Sequence, residues 1–550
     1  MDLTDSSQTD WWQRGVVYQI YPRSFADSDG DGLGDVAGIE AHLDHLRDGT
    51  AGSLGVDAIW LSPIYPSPDF DMGYDVADYV GVDPRYGTIA GFERLVAACH
   101  ARGLRVILDL VLNHSSSRHA WFTASRAGRE GPYADWYIWR DSPGRTRTGG
   151  RRLPNNWRSF FGGPAWTWEP AREQFYLHTF LPEQPDLNWR SPAVRAALLD
   201  VVRTWLDRGV DGFRLDVFNT YFKDAQLRSN PRTLGGRGAW SWQRHVHDRD
   251  QPELQGALAE LRSLVDEHPG RMTVGELFDG RLGEAAGYIA PRHLIFDWSL
   301  VGLPWSASAF AGAIAARDAA FGPERWPANV LSNHDQPRHA SRYDDGRSGD
   351  ARAKVAATLL ATLRGTPFLY YGEEIAQRNL VVPKAEAIDP PARRASFLFP
   401  WWNRDQGRGP MAWRPGPGGG FTTGTPWLPL APDIATHNVA TEAADPGSVL
   451  SWYRKVLALR RATPALQIAA QELVDVGDRD VLAYVRGAGV EATFVALSFA
   501  DRPATIRLPT RAAAATGWTV ALSTHGREGL GALPTELALE PNEALIARGG

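Results

Sequence analysis

A chain of 550 residues is longer than one hydrophobic core usually supports, so two or three domains are expected. The formal net charge of -6 leaves no basic excess for binding nucleic acid, and no run approaches the ~18 apolar residues of a membrane span. The single cysteine, Cys99, excludes an intramolecular disulfide. The N-terminus lacks the basic and apolar regions of a signal peptide, which favours a cytoplasmic location.

Strand-like runs alternate with helical segments over the first two-thirds of the chain. The strand candidates are residues 16–20, 58–61, 105–110, 212–215, 272–275, 294–296, 330–332 and 367–371. Amphipathic segments such as 192–207, 253–267, 307–320 and 351–363 lie between most of them. This alternation indicates an α/β fold with a parallel sheet and crossover helices, and eight strands predict a (β/α)₈ TIM barrel.

Two regions depart from the alternation. Residues 115–182 follow the third strand, are rich in Trp, Gly, Pro and Arg, and predict an inserted subdomain at the rim of the barrel. After residue 465 come short β-like runs separated by turns, which predict a C-terminal antiparallel β domain with a packing role. The predicted boundaries are barrel at 1–113 and 183–465, inserted subdomain at 114–182 and β-sandwich domain at 466–550.

Polar residues follow four of the predicted strands, at the ends where a TIM barrel carries its active site. They are Asn113 and His114, then Arg214 and Asp216, then Glu276, and finally Asn333, His334 and Asp335. A salt bridge or a helix cap would account for any one of them. Convergence of so many charges at one rim is costly unless the site uses them, so the sequence predicts a catalytic site there.

Glycoside hydrolysis requires two carboxyl groups that flank the scissile bond. Asp216 is the predicted nucleophile, because Arg214 lies two residues earlier on the same face of the strand and would lower its pKa. Glu276 is the predicted acid/base, because partial burial beside the apolar residues that follow it would raise its pKa. Asp335 would hold sugar hydroxyls and favour the distorted, positively charged ring.

These residues lie in the segments Asp109-Leu-Val-Leu-Asn113-His114, Gly212-Phe-Arg-Leu-Asp216, Gly275-Glu276 and Asn333-His334-Asp335. In this order and spacing, the segments resemble the four sequence signatures of the α-amylase family. Two further segments, Gly73-Tyr74-Asp75 and Gln184-Pro-Asp-Leu-Asn188, resemble the oligo-1,6-glucosidase and α-glucosidase branch of that family. The resemblance covers nearly the whole chain.

The resemblance implies retention through a covalent glucosyl-enzyme, with a set of side chains around the non-reducing glucose. Tyr74 would stack on that glucose, and its hydroxyls would be bound by Asp75, His114, Arg214, His334 and Asp335. The branch also uses an arginine from Arg-Thr-Pro-Met-Gln-Trp. Here the segment reads Arg408-Gly-Pro-Met-Ala-Trp413, so that role falls to Arg408, and an ion pair between Asp75 and Arg408 would close the pocket and explain exo-action.

The predicted activity is that of a retaining exo-acting α-glucosidase on short oligosaccharides or disaccharides. In that branch, valine after the nucleophile tends to accompany α-1,6 cleavage, so Val217 implies a preference for isomaltose-like substrates over α-1,4 linkages. A transglucosylase or sucrose isomerase would use the same residues and stays open as an alternative, and a non-catalytic binding subunit is a remote one. The sequence suggests no organic cofactor and does not indicate an oligomeric state.

An acidic loop follows the first predicted strand of the barrel. Residues 27–35 read Asp-Ser-Asp-Gly-Asp-Gly-Leu-Gly-Asp and match the first nine positions of an EF-hand loop, but position twelve is Gly38 instead of glutamate. A structural Ca²⁺ ion is predicted, with Mg²⁺ as second choice and a solvated acidic turn as the alternative. The predicted ligands are Asp27, Asp29, Asp31, the Leu33 carbonyl and Asp35.

Overall fold

The computed structural model describes residues 10–233, 239–279, 282–288, 293–394, 403–509 and 517–549. The first eleven strands are β1 (Val17–Ile20), β2 (Ala58–Leu61), β3 (Arg105–Leu110), β4 (Trp139–Arg140), β5 (Trp166–Glu169), β6 (Gln174–Leu177), β7 (Gly212–Leu215), β8 (Met272–Gly275), β9 (His293–Asp297), β10 (Pro327–Asn329) and β11 (Thr366–Tyr370). Eight of them form a closed parallel barrel in the order β1-β11-β10-β9-β8-β7-β3-β2. The barrel strands are almost entirely buried, which is why they read as continuous apolar runs.

Helices cover the outside of the barrel. The longer ones are Ile89–Ala101, Pro192–Asp207, Leu254–Asp266, Ala307–Phe321, Gly349–Thr362 and Val449–Arg461. Shorter helices are Trp11–Arg14, Pro22–Phe25, Val36–Ala41, Leu43–Leu46, Ala120–Arg126, Leu282–Tyr288, His339–Arg342, Pro390–Arg394, Val439–Ala444 and Pro464–Ile468. None of the helices in the described ranges combines the length and apolar character needed to cross a membrane.

The helix Ile89–Ala101 illustrates how the sequence produces these elements. The Thr88 side chain accepts a hydrogen bond from the Gly91 amide and caps the first turn. Phe92, Leu95, Val96 and Cys99 recur at helical spacing and are buried against the barrel. Cys99 is therefore a small buried apolar residue, and burial raises the pKa of its thiol to about 12.

The insertion between β3 and β7 has its own small sheet, with antiparallel strands in the order β4-β6-β5. Trp157, Trp166, Phe175 and Leu177 form its apolar core. Isolated bridges tie the insertion back to the barrel side, including one between His114 and Asp186. The tryptophan-rich composition of this segment therefore serves a compact core above the rim of the barrel.

The C-terminal strands are β12 (Gln471–Leu473), β13 (Val481–Arg486), β14 (Thr493–Ser498), β15 (Ala504–Arg507), β16 (Trp518–Ser523), β17 (Glu536–Leu539) and β18 (Ala544–Gly549). They form a five-stranded antiparallel sheet, β12-β13-β14-β18-β16, and a two-stranded sheet, β15-β17. Side chains from both sheets, such as Phe494, Ile506 and Leu539, share one apolar cluster. The predicted fold class is confirmed: a closed barrel, an insertion after its third strand and an antiparallel C-terminal domain.

The predicted seventh barrel strand at 330–332 is wrong in position. Ladder pairing with β9 occurs at Pro327, Ala328 and Asn329, directly before the predicted run. Val330 and Leu331 are buried although they make no ladder pairs, because the chain there leaves the strand for the rim. Apolar character alone could not separate these two situations.

Buried arginines join the barrel to the C-terminal domain. Arg460 donates to the carbonyls of Ala361 at 2.9 Å, Leu466 at 2.8 Å and Gly365 at 3.1 Å. Arg486 donates to the carbonyls of Ala469 and Thr362. Two of these carbonyls, those of Ala361 and Thr362, lie in the last turn of the helix Gly349–Thr362, where carbonyls have no partner within the helix. Burial lowers the pKa of Arg460 to about 10.

We predict that Arg460→Met destabilises the protein by about 3 kcal/mol, because it leaves several buried carbonyls without donors. Thermal or urea unfolding measures the loss. The control is Arg507→Met, which removes an exposed arginine that pairs with the exposed Glu536 and should change stability by less than ~0.5 kcal/mol. Equal effects of the two substitutions would contradict the capping role of Arg460.

Candidate active site

The two predicted catalytic acids follow neighbouring strands at matching register positions. Leu215 on β7 pairs with Gly275 on β8, and the Glu276 amide donates to the Leu215 carbonyl at 2.9 Å. The Asp216 amide continues the ladder with β3 through a 3.0 Å hydrogen bond to the Leu110 carbonyl. Because adjacent strands lie about 4.8 Å apart, Asp216 and Glu276 begin side by side at the same rim.

A single guanidinium connects three buried carboxylates at this rim. Arg214 Nη1 donates to Asp109 Oδ1 at 2.7 Å and to Asp216 Oδ1 at 2.6 Å, and Arg214 Nη2 contacts Glu276 Oε2. Only Glu276 keeps appreciable exposure, with 14% of its side chain accessible, which suits a group that exchanges protons. The structure therefore brings the predicted acid pair together around Arg214.

Asp109 is a residue of the site that the sequence motifs did not identify. It is in register with Arg214 across the β3–β7 ladder, and its other oxygen accepts a hydrogen bond from the Tyr74 hydroxyl at 2.9 Å. A charged residue inside the apolar run of β3 was the available signal. Burial raises the pKa of Asp109 to about 6 although Arg214 opposes the shift.

The net pKa shift of Asp216 differs from the prediction. Burial raises the pKa of Asp216 above its ordinary range; Arg214 opposes this shift, whereas Glu276 and Asp109 add to it. The predicted effect of Arg214, which lowers the pKa of Asp216, is therefore confirmed in direction, but burial and the two neighbouring acids outweigh it and the net shift is upward. Burial also raises the pKa of Glu276, with Asp335 contributing. One cation cannot neutralise three carboxylates, so a shared proton is the natural way to relieve their repulsion.

Two buried imidazoles border the acids and are neutral. Burial lowers the pKa of His334 to about 3 and that of His114 to about 4. Gln19 Nε2 lies 2.7 Å from His334 Nδ1, and the Tyr74 hydroxyl lies 2.7 Å from His334 Nε2. The amide of Gln19 can only donate there, so this network assigns the proton to Nε2. The Tyr74 and His334 rings stack with their centroids 5.3 Å apart and an angle of 2° between their planes.

Asp335 is a further carboxylate that lines the cavity, and it is held ionised. Burial alone would raise its pKa, but neighbouring groups, including the permanent cations Arg404 and Arg408, outweigh burial, so the pKa lies well below the ordinary value. Arg408 Nη2 donates to Asp335 Oδ1 at 2.7 Å, and Arg404 Nη1 reaches the same oxygen at 3.2 Å. A permanent anion therefore faces the cavity.

The predicted closing pair, Asp75 with Arg408, is wrong. The Asp75 carboxylate is buried in its own turn, where it accepts from Ser67 Oγ at 2.9 Å and from the amides of residues 70 and 71. Arg408 is fully buried behind Asp335 and donates to the His334 carbonyl. Neither residue lines the cavity. Turn geometry, which the sequence motif does not reveal, directs Asp75 away from it.

A different pair occupies the predicted position. Asp71 and Arg404 both line the cavity, and Arg404 Nη2 donates to Asp71 Oδ1 at 2.6 Å. Arg404 also pairs with Asp389 at 2.7 Å, which fixes its guanidinium plane. Asp71 precedes the Gly73-Tyr74-Asp75 motif and Arg404 precedes Arg408, so the predicted loops were correct and the residues within them were not.

The cavity above the acids has a volume of about 600 Å³. Its polar part is formed by Asp71, Tyr74, His114, Gln184, Asp216, Glu276, Asn333, Asp335, Gln336 and Arg404, with Asp279 further along. The remaining wall is formed by Phe160, Phe161, Phe180, Val217, Leu277, Phe278, Trp298 and Pro337. Converging carboxylates beside an apolar aromatic wall suit a ligand that has both hydroxyl groups and apolar ring faces.

Val217 lines this cavity in a left-handed conformation, with φ 38° and ψ 38°. A β-branched residue in that region costs about 1–3 kcal/mol and persists only where the surroundings hold it. Thr220 does so here, because its amide and its hydroxyl both donate to the Val217 carbonyl, at 2.9 and 2.7 Å. The strain lies directly after Asp216, at the point where the chain leaves the barrel.

Three of the predicted metal ligands lie together. Carboxylate oxygens of Asp27, Asp29 and Asp35 are within 4.8 Å of one another. Asp31 is outside this group, and its Oδ1 accepts from the Leu33 amide at 2.7 Å. Three carboxylates in so small a space are the donor set that a hard divalent cation prefers, so the loop fits the predicted ion.

Residues 19–469 match the family described as "Alpha amylase, catalytic domain". The chain is 43% identical over 517 residues to a probable alpha-glucosidase of Rhizobium meliloti (strain 1021), covering 91% of each. It is 36% identical over 533 residues to an oligo-1,6-glucosidase of Parageobacillus thermoglucosidasius, covering 91% of this chain and 92% of the relative. It is 41% identical over 483 residues to a trehalose-6-phosphate hydrolase of Escherichia coli (strain K12), covering 82% and 84%.

Among solved structures, an alpha-glucosyl transfer enzyme superimposes with a TM-score of 0.89 at 40% identity and covers 99% of this chain and 100% of its own. The family expected from the sequence motifs is confirmed by these matches along nearly the whole chain. The chain belongs to the α-amylase family and is a glycoside hydrolase.

Proposed function

We propose that this protein is a retaining, exo-acting α-glucosidase that releases terminal glucose from short α-linked oligosaccharides. The observation that carries the proposal is the contact of one guanidinium, Arg214, with both Asp216 and Glu276. Retaining glycosidases need two carboxyl groups only about 5–5.5 Å apart, and the shared contact with Arg214 supports such closeness for Asp216 and Glu276.

In the proposed mechanism, Asp216 attacks the anomeric carbon while Glu276 protonates the departing glycosidic oxygen. The product of this step is a covalent glucosyl ester on Asp216. Glu276, now ionised, removes a proton from water, which attacks the same carbon and releases glucose with its original configuration. Asp335 stabilises the positive charge that develops on the sugar ring in both steps.

Exo-action follows from the closed end of the cavity. The Asp71–Arg404 ion pair stands beside the glucose site, and Arg404 is fixed further by Asp389 and Asp335. An additional sugar on the non-reducing side would have to displace this pair, leaving buried charges without partners. The proposal therefore assigns to Asp71 and Arg404 the role first predicted for Asp75 and Arg408.

The cavity favours an uncharged leaving group. Five of the described lining residues are acidic, and Arg404, the one basic residue among them, is already paired with three aspartates. A phosphate on the leaving sugar would meet carboxylates and aromatic rings and would lose its hydration without gaining a cation. This argues for a neutral glucoside and against the substrate named for the Escherichia coli relative.

The proposal includes a preference for α-1,6 linkages. Support comes from Val217, the residue after the nucleophile, and from the oligo-1,6-glucosidase among the relatives. Val217 is buried with its backbone strained, so its side chain presents a fixed surface to the leaving sugar. Rates on isomaltose and maltose test this preference directly.

A transglucosylase is the second candidate, favoured by the aromatic wall and by the similarity to the alpha-glucosyl transfer enzyme. Phe160, Phe161, Phe180 and Phe278 contact one another in edge-to-face or tilted pairs around one side of the cavity. Such a wall excludes water and offers ring faces to an acceptor sugar. Product analysis at high substrate separates the candidates, since free glucose indicates hydrolysis and new oligosaccharides indicate transfer.

Glu276→Gln tests the acid/base assignment. The variant should lose at least about 10²-fold in rate on isomaltose but much less on an activated aryl α-glucoside, whose leaving group needs little protonation. Proton NMR of the first product should show α-glucose. Equal losses on both substrates, or β-glucose as first product, would contradict the mechanism.

The pH dependence of kcat/KM tests whether the carboxylates around Arg214 shift one another's pKa. We expect the acidic limb of kcat/KM above the ~3.9 of free aspartate, because a raised pKa keeps Asp216 protonated to higher pH. The basic limb reports Glu276, which must hold its proton. Asp109→Asn removes one negative charge beside Arg214, so both limbs should move to lower pH.

The control for that shift is Asp211→Asn, which removes another buried aspartate, one that pairs with Arg271 and His100 just before β7 begins. This variant should leave both limbs in place even if it lowers stability. Unchanged limbs in Asp109→Asn would show that Asp109 does not act on the acid pair.

We also propose that Ca²⁺ binds in the 27–35 loop through Asp27, Asp29 and Asp35, with a purely structural role. A chelator should then lower the melting temperature, and a hundredfold excess of Ca²⁺ over Kd should restore about 2.7 kcal/mol. Asp29→Asn should abolish this response because it removes one of the three carboxylates, and it should disturb the loop little because the exposed Asp29 side chain accepts a hydrogen bond from the Asp31 amide that an asparagine can also accept. Asp48→Asn, an exposed aspartate in another turn, should keep it. A chelator without effect on the parent protein would exclude the ion.

A further inference from the structure

Lys223 is a buried lysine that the proposed mechanism does not use. Its side chain is 1% exposed, and burying an ammonium group so completely is costly unless it is paired. Its Nζ donates to Asn113 Oδ1 at 2.7 Å, to the Thr220 carbonyl at 2.5 Å and to Asp186 Oδ2 at 2.8 Å. An ammonium group has three protons and cannot accept, so these contacts use its full capacity and make each partner an acceptor.

The contact with Asp186 is an ion pair at the motif of residues 184–188. The Asp186 carboxylate also accepts from the Thr179 amide at 3.0 Å and from the Thr179 hydroxyl at 2.6 Å. Burial alone would raise the pKa of Asp186, but Lys223 and the bonds from Thr179 lower it overall. Burial lowers the pKa of Lys223, and Asp186 opposes that shift. Each partner therefore favours the charged form of the other.

The contact with Asn113 fixes the orientation of an amide and, through it, the proton of an imidazole. Because Lys223 donates to Oδ1, Asn113 Nδ2 faces His114 Nδ1 at 3.1 Å and Asp186 Oδ1 at 3.2 Å. The reversed amide would place donor against ammonium and oxygen against carboxylate. His114 Nδ1 is therefore an acceptor, and the ring proton lies on Nε2, which is 3.0 Å from the Tyr74 carbonyl.

This proton supports the glucose side of the catalytic cavity. Gln184 Nε2 lies 3.1 Å from His114 Nε2, but it donates to Asp71 Oδ2 at 3.1 Å and to the Tyr74 carbonyl at 3.2 Å. The imidazole and the amide thus hold one carbonyl together. Asp71, Tyr74 and His114 all line the cavity, so the orientation set at Lys223 reaches the turn that carries Asp71 and Tyr74.

The contact with Thr220 supports the leaving-group side. The Thr220 amide and hydroxyl donate to the Val217 carbonyl at 2.9 and 2.7 Å, and Lys223 binds the Thr220 carbonyl in turn. Val217 lines the cavity in its left-handed conformation, directly after Asp216. A strained backbone persists only where its surroundings hold it, and the ammonium anchors the far end of this short turn.

We infer that Lys223 is a positioning residue of the active site, which fixes the His114 proton on Nε2 and the Val217 turn against the leaving sugar. Lys223 lies outside the catalytic cavity, so it acts through Asn113 and Thr220. The inference rests on the proposed function and deepens it, because it names the group that maintains the linkage preference assigned to Val217.

NMR of the imidazole nitrogens in histidine-labelled full-length protein tests the first half of the inference without turnover. The His114 signals, identified by their loss in His114→Gln, should show a protonated Nε2 and an unprotonated Nδ1 at neutral pH. Lys223→Met should shift both signals towards a mixture of tautomers and leave those of His334 in place. A proton on Nδ1 in the parent protein, or unchanged His114 signals in Lys223→Met, would overturn the inference.

Kinetics test the second half. Lys223→Met should lower kcat/KM on isomaltose at least about tenfold, because small displacements of groups around the reacting bond are costly, and should move the isomaltose-to-maltose ratio towards one. The matched control is Arg460→Met, which removes another buried cation with three carbonyl acceptors, none of them from a residue of the cavity. It should keep the ratio even where it lowers stability. A parental ratio in Lys223→Met would contradict the positioning role.

Chemical rescue separates charge from packing. Lys223 borders a cavity of about 360 Å³ outside the active site, through which a small amine can reach the space left in Lys223→Ala. Propylammonium should restore both rate and linkage ratio, whereas propanol, which has the same carbon chain without the charge, should not. Equal rescue by propanol would overturn the inference. Absence of hydrolysis in the parent protein would overturn the proposed function, while the NMR result decides the role of Lys223 by itself.

Discussion

The chemistry of this protein depends on one buried cation shared by three carboxylates. Arg214 contacts Asp109, Asp216 and Glu276, and all four groups lie in a low-dielectric environment at the end of the barrel. With every acid ionised, the cluster would carry an excess of negative charge that burial makes costly. Binding a proton is the least costly relief, and Glu276, the most exposed of the three acids, is the group best placed to hold and donate it.

The parallel ladder is what makes this sharing possible. Asp109, Arg214 and Val274 occupy adjacent register positions on three neighbouring strands, so the side chains after them leave the barrel at one height. Asp216 and Glu276 are therefore set side by side by backbone hydrogen bonds rather than by loops. This rigidity explains why chemistry at the strand ends could be predicted from the sequence: an apolar run followed by a charged residue fixes both the element and its exit point.

Loop residues were not predictable to the same degree. Asp71 and Asp75 flank one turn and have the same chemistry, yet only Asp71 faces the cavity, because the Asp75 carboxylate is held by Ser67 and by turn amides. The same applies to Arg404 and Arg408, whose directions are set by contacts with residues distant in sequence. A motif shows that a loop lies near the site. Which of two chemically similar residues in that loop faces the cavity depends on local hydrogen bonds, and these leave no periodic pattern in the sequence.

The distribution of charge around the sugar site suits a transition state that carries positive charge at the anomeric carbon. Asp335 faces the cavity as an anion, while Arg408, which holds it ionised, is fully buried behind it. Burial keeps His114 and His334 neutral, so neither imidazole adds repulsive positive charge beside the sugar site. The buried arginines therefore influence the sugar through the carboxylates that they keep ionised. The barrel holds these carboxylates in fixed positions shielded from water, where their electrostatic effect on the transition state is stronger.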